Sequence, residues 1–220
     1  HLSLKDGELQ KPQDVFGEAW RDHHLKIERD WRSRVKEEDL VLLPGDLSWA
    51  AKPDLAREDL AWIDSLPGKK VVVKGNHDWW IPGSRGKMEA LLPRTISVVG
   101  RDVVLIQGIL LFGTRMWTIP GLGFPTQPGD PKQDRRLLER ELGRLKASIE
   151  KASVVSREND VTRKVCMTHF PPTDFSGRAT EATEMLTDFG THLCVFGHVH
   201  DFAGAGNGVE VGGTRYFLTS

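Results

Sequence analysis

Residues 69–80 read KKVVVKGNHDWW, and this stretch decides the fold class. The strand predicted over Lys70–Val73 carries consecutive β-branched side chains, the pattern of a strand covered on both faces. It breaks at Gly75 and delivers Asn76, His77 and Asp78 just beyond its carboxyl end. The same arrangement recurs three times. LVLLPGD at 40–46 ends on Asp46, KVCMTH at 164–169 ends on His169, and LCVFGHVH at 193–200 ends on His198 and His200. In α/β folds, groups that follow the carboxyl ends of strands gather in one crevice although distant in sequence. The recurrence therefore predicts an α/β chain with a polar site at its strand exits.

Helices alternate with these strands. Phe16, Trp20, His23, Ile27 and Trp31 recur at helical spacing and predict a helix over Pro12–Val35 with an apolar stripe. A second helix is predicted over Pro53–Leu66, opened by proline and closed by Pro67-Gly68. After a turn-rich segment, Thr95–Val99, Val103–Gln107 and Ile109–Phe112 read as closely connected antiparallel strands. Glycine and proline then shape a loop over Trp117–Pro131. A helix follows over Pro131–Lys151, with Asp130 as N-cap and Leu138, Leu142, Leu145 and Ile149 as its buried stripe. A helix over Ala179–Phe189 separates the last two histidine-bearing strands, and a glycine-rich hairpin region leads to Tyr216. No repeat or long linker divides residues 1–220, which are read as a single domain.

The composition narrows the function. Thirty basic and 31 acidic side chains leave a formal net charge of −1, so no broad positive field argues for nucleic acid. The basic residues of the 131–151 helix, Arg135, Arg136, Arg140 and Arg144 among them, are read as a solvated face. The apolar runs are too short to span a bilayer and no leader pattern opens the sequence, so a cytoplasmic protein without a membrane partner is expected. Cys166 and Cys194 lie in separate apolar strands, where reduced core thiols are expected. Trp49, Trp79, Trp80 and Trp117 follow polar motifs closely enough to line a rim.

Taken singly, Asp46 and His169 are weak evidence, each with a structural reading as a turn or loop residue. Together, a carboxylate, an amide oxygen and several imidazoles form a donor set suited to Mn, Fe or Zn, and no cysteine cluster suggests structural zinc.

The ordered motifs then become specific. Gly45-Asp46, Gly75-Asn76-His77-Asp78, Thr168-His169 and Gly197-His198-Val199-His200 resemble the GD, GNH(D/E), isolated histidine and GHxH signature of the calcineurin-like metallophosphoesterase superfamily. His1 stands where the histidine of that family's opening DxH motif falls. The matching aspartate would lie two positions before His1, so the native chain is expected to carry it on a preceding strand. The resemblance implies a four-layer αββα sandwich, with two mixed β-sheets flanked by helices. It also implies two divalent or mixed-valence metal ions. His1 and His200 would bind the first, Asn76, His169 and His198 the second, and Asp46 would bridge them.

The activity implied is dinuclear-metal-dependent phosphohydrolysis. A phosphodiesterase is favoured, acting on a small phosphoester or nucleotide-like substrate through a metal-activated hydroxide. By the same resemblance His77 faces substrate as a charge stabiliser or proton donor, with Asp78 supporting it as the second catalytic residue. Two alternatives remain open: a non-catalytic metallophosphoesterase-like scaffold that binds another protein, and a metal-dependent nuclease using the basic helix. Arg115 and Arg178 are further candidates for phosphate contact, each with an ordinary structural reading. The sequence does not indicate an oligomeric state.

Overall fold

In a computed structural model of the chain, the described residues are 1–4, 17–100, 102–124, 130–200 and 208–219. The chain divides into two compact units, residues 1–72 with 76–97 and residues 73–75 with 98–220. The fold class is α/β, with two sheets and accompanying helices, as the strand-exit pattern implied.

The first sheet has the order β1-β2-β3, with β1 (Leu40–Leu43) parallel to β2 (Lys69–Val73) and β3 (Ile96–Val99) beyond β2. Val71, Val72 and Val73 are fully buried, which is why this strand reads as a continuous apolar run rather than an alternation. Residues 1–4 lie alongside the loop after β1. The Leu2 N–H donates to the Leu47 carbonyl at 2.6 Å and the Trp49 N–H to the Leu2 carbonyl at 3.0 Å, a parallel bridge between Leu2 and Ser48.

Three expectations for the first unit need correction. The first helix, α1, spans His23–Arg34 rather than beginning at Pro12, and residues 12–16 lie outside the described residues. Gly17 at φ +115° and Asp22 at φ +52° place left-handed backbone where a helix would have to propagate. Its face is not a core face, because Ile27 is 43% exposed and no residue of α1 is buried, although the Trp31 indole donates to the Pro67 carbonyl at 2.9 Å; Trp20, 41% exposed, lies in a 3-10 turn before it. The second helix divides into a 3-10 turn over Pro53–Ala56 and α2 over Arg57–Asp64, which buries Leu60 and Ile63. The turn-rich segment contains a short helix, α3 (Arg85–Leu91).

The second sheet has the order β4-β5-β6-β7-β9-β8. Its middle strands β5 (Ile109–Thr114), β6 (Arg163–Thr168), β7 (Leu193–Phe196) and β9 (Thr214–Leu218) run parallel. The edge strands β4 (Val104–Ile106) and β8 (Val209–Val211) pair antiparallel to β5 and β9. β4 and β5 thus form the expected hairpin, whereas β3 belongs to the other sheet. Leu110, Phe112, Cys166, Cys194 and Tyr216 turn one face of this sheet toward Leu142, Leu145 and Ala152 of α4 (Pro131–Glu158) and Ala182 and Leu186 of α5 (Glu181–Asp188). Asp130 caps α4 by accepting from the Lys132 N–H at 3.0 Å. Gly113 is obligatory, since it sits at φ +145° and a Cβ there would strike the Met167 backbone. Its N–H donates to Ser148 Oγ at 3.0 Å, which seats α4 on β5. Cys166 and Cys194 are register partners on β6 and β7, buried and free.

Candidate functional site

In the first unit the chain brings His1, Asp46, His77 and Asp78 together. β1 ends at Leu43, and the following Gly45 and Asp46 adopt φ +93° and +57°. Left-handed backbone at a residue with a Cβ costs roughly 1–2 kcal/mol, so Asp46 is held there by its surroundings. Those surroundings are supplied by the loop after β2. Asp46 Oδ1 accepts from the His77 N–H at 2.8 Å. The buried Asp78 carboxylate accepts in turn from the N–H groups of Asp46 at 2.7 Å and Leu47 at 2.8 Å, and from the Trp80 indole at 2.9 Å. Two adjacent residues of the GNHD stretch thus grip the side chain and the backbone of one aspartate.

The bridge through Leu2 delivers His1 to the same place. Its Nε2 lies 3.7 Å from Asp46 Oδ2, and its ring stacks on Trp49 with centroids 4.3 Å apart. The His77 ring stands edge-on to both, at 5.3 Å from His1 and 4.5 Å from Trp49. Trp49 therefore packs against both candidate site histidines. Trp80, expected at a rim, is fully buried, whereas Trp79 is 68% exposed. Asn76 lies at the exit of β2 and is half-buried. Behind the loop, the buried Asp59 carboxylate accepts from Ser48 Oγ and, at 2.8 Å, from the Leu4 N–H, joining the first residues to the segment after Asp46. Burial holds this carboxyl above the usual carboxylate range against those hydrogen bonds.

In the second unit β5, β6 and β7 end side by side, so Arg115, His169 and the 197–200 loop follow adjacent strand exits. The Arg115 carbonyl accepts from the N–H groups of His169 at 3.1 Å and Phe170 at 2.9 Å, and the His169 carbonyl accepts from the Gly197 N–H at 3.1 Å. This lacing brings His198 Nδ1 within 3.2 Å of His169 Nε2. His198 adopts φ +70° and its ring rests on Phe170 at 4.0 Å, which Trp117 supports from beyond at 4.8 Å. His200 follows in the same loop and is exposed.

Arg115 and Arg178 have structural partners. Arg178 donates to the Gly121 carbonyl at 2.6 Å. Arg115 donates to buried Glu141 on α4 at 3.2 Å, where Arg144 and Thr114 also converge at 2.7 and 2.8 Å. Three groups that matter here carried no sequence signal. They are the Arg115 carbonyl, Phe170 beneath His198, and the Asp46 backbone as a partner of Asp78.

Imidazole, carboxylate and amide side chains stand at strand exits in the first unit and two imidazoles at those of the second, donor types that suit divalent metals. Two imidazole nitrogens on one ion at 2.0–2.1 Å and tetrahedral angles sit about 3.3 Å apart, and the 3.2 Å between the His169 and His198 nitrogens fits that requirement. The chain belongs to the calcineurin-like phosphoesterase family, which it matches over residues 7–202. That family typically binds divalent metals, and membership supports a metal-dependent phosphoesterase. The Gene 66 protein of Mycobacterium phage D29 is 35% identical over 60 residues, which span 27% of this chain and 30% of that protein. The crystal structure of phosphopantetheinyl hydrolase (PptH) from Mycobacterium tuberculosis aligns with 86% of this chain and 82% of that one, at 14% identity and a TM-score of 0.45. No helix among the described residues is long and apolar enough to cross a membrane.

Proposed function

We propose that this chain, as a single catalytic domain, hydrolyses a small phosphodiester at a dinuclear metal centre. The observation that carries the reading is the convergence of His169 Nε2 and His198 Nδ1 at 3.2 Å, a spacing suited to joint ligation of one ion. By the family's ligand order, Asn76 would join His169 and His198 on one ion, His1 and His200 would hold the other, and Asp46 would be a ligand to both. Asp46 Oδ1 already accepts the His77 N–H, and Oδ2 lies on the His1 side. Mn, Fe or Zn suits these donors. When bound, such ions neutralise phosphoryl charge and lower the pKa of water.

The remaining work falls to the chain. The His77 ring stands edge-on to Trp49 and His1, which fixes its orientation. In this reading it faces the phosphoester. Water oxygen adds to phosphorus and releases one proton to solvent, the ester P–O bond breaks, and His77 gives a proton to the departing oxygen and regains one from solvent. Trp79, beside this histidine and mostly exposed, suits an aryl or nucleotide-like leaving group.

The test is a panel of aryl phosphodiesters, phosphomonoesters and single-stranded DNA assayed with Mn on the full-length protein, alongside metal stoichiometry. Diester turnover should exceed monoester turnover. Preference for monoesters would overturn the diester assignment. DNA cleavage that weakens steeply with salt would favour a nuclease, and bound metal without turnover would favour the scaffold reading.

A further inference from the structure

We infer that Asp78 is a positioning residue for Asp46. Its carboxylate fills the cradle formed by the backbone N–H groups after β1 and holds Asp46 in its ligand pose. The inference rests on the reading of Asp46 as a metal ligand.

With Asp46 at φ +57°, the successive N–H groups of Asp46, Leu47 and Ser48 turn to one side, the arrangement of a backbone anion-binding concavity. Here the anion belongs to the chain. Asp78 Oδ2 takes the Asp46 N–H at 2.7 Å, and Oδ1 takes the Leu47 N–H at 2.8 Å, with the Ser48 N–H at 3.4 Å. The Trp80 indole fixes Oδ1 from behind at 2.9 Å, and both Asp78 and Trp80 are fully buried. Asp78 therefore has little freedom to move, and the Asp46 backbone is held with it. The neighbouring His77 N–H holds Asp46 Oδ1 at 2.8 Å, so backbone and side chain are secured by consecutive residues.

An amide cannot substitute. Both Asp78 oxygens accept backbone N–H groups, and Asn offers one acceptor, so its NH2 would face an N–H. Asp78→Asn should release the Asp46 turn while leaving every proposed ligand side chain in the sequence.

The experiment compares the full-length parent with Asp78→Asn and Asp46→Ala, each shown to be folded by near-ultraviolet circular dichroism. Mn binding is measured by equilibrium titration and the Mn environment by electron paramagnetic resonance. Asp78→Asn should bind Mn at least tenfold more weakly, with a broadened or altered resonance, and Asp46→Ala should lose Mn occupancy. A role in folding alone would lower the melting temperature and leave Mn affinity and line shape parental, which would overturn the inference. Parental Mn binding by Asp78→Asn with loss in Asp46→Ala would overturn it while sparing the Asp46 reading. Parental binding by Asp46→Ala would overturn both. Should Asp78→Asn fail to fold, Asp78→Glu carries the test. It keeps the charge but displaces both oxygens by one methylene, and parental Mn affinity and line shape would overturn the inference.

Discussion

Asp46 and His198 both sit in left-handed backbone, at φ +57° and +70°, although neither is glycine. Strain of this kind persists where the surroundings over-determine a residue, and both positions belong to the proposed metal centre. Asp59 shows how the first unit's loops share that burden. Burial raises its pKa, so the folded chain keeps this proton to a higher pH than the unfolded chain does. The contribution of Asp59 to stability is complete below the unfolded value, near 4, and is lost as pH rises through the raised folded value. Relative to Asp59→Asn, the parent should gain stability in urea titrations as pH falls from about 7 to about 4. Parallel pH curves would contradict the assignment. Residue types were legible at this scale, since Asp46, Asn76, His77, His169 and His198 all stand where the strand-exit rule put them. Partners were less so. Asp78 was expected beside His77, yet its carboxylate grips the backbone of residues remote in sequence, and no residue pattern encodes a bond to a distant N–H.

Among the elements, α4 ties the core to the exit of β5 through one buried carboxylate. Glu141 is fully buried and meets Thr114, Arg115 and Arg144, with the Arg115 side chain 19% exposed. Removing one partner of such a pair strands a charge, so Glu141→Ala should cost roughly 3–5 kcal/mol. Glu141→Met combined with Arg115→Met should recover much of that loss in denaturant titrations, and additive losses would contradict the pairing. Because the Arg115 carbonyl holds the His169 and Phe170 N–H groups, the same strut steadies one half of the proposed donor set. The parallel strands were legible because burial on both faces writes a continuous apolar run. Helix limits were not. α4 runs on to Glu158, past Lys151, because Ala152 and Val155 continue into the core. α3 is a short segment containing Gly86, too brief for periodicity to declare itself. β3 joined the first sheet rather than β4, a choice made by tertiary pairing and not by local sequence.

Over the whole molecule, motif order carried more than any single motif, and the family match over residues 7–202 takes in the GD, GNHD and later histidine motifs, with His200 near its end. The structure adds a preorganised set in each unit: Asp46 clamped by residues 77 and 78, and His169 converging on His198. In the proposed function these donors hold metals for phosphodiester hydrolysis, with His77 acting on substrate rather than on metal. This role of His77 is tested most directly by measuring, on the full-length protein and its His77→Ala variant, Mn-supported turnover of an aryl phosphodiester together with bound metal per chain. His77→Ala should keep near-parental metal content while its turnover falls by roughly 100- to 10,000-fold. Parental turnover in His77→Ala would contradict it.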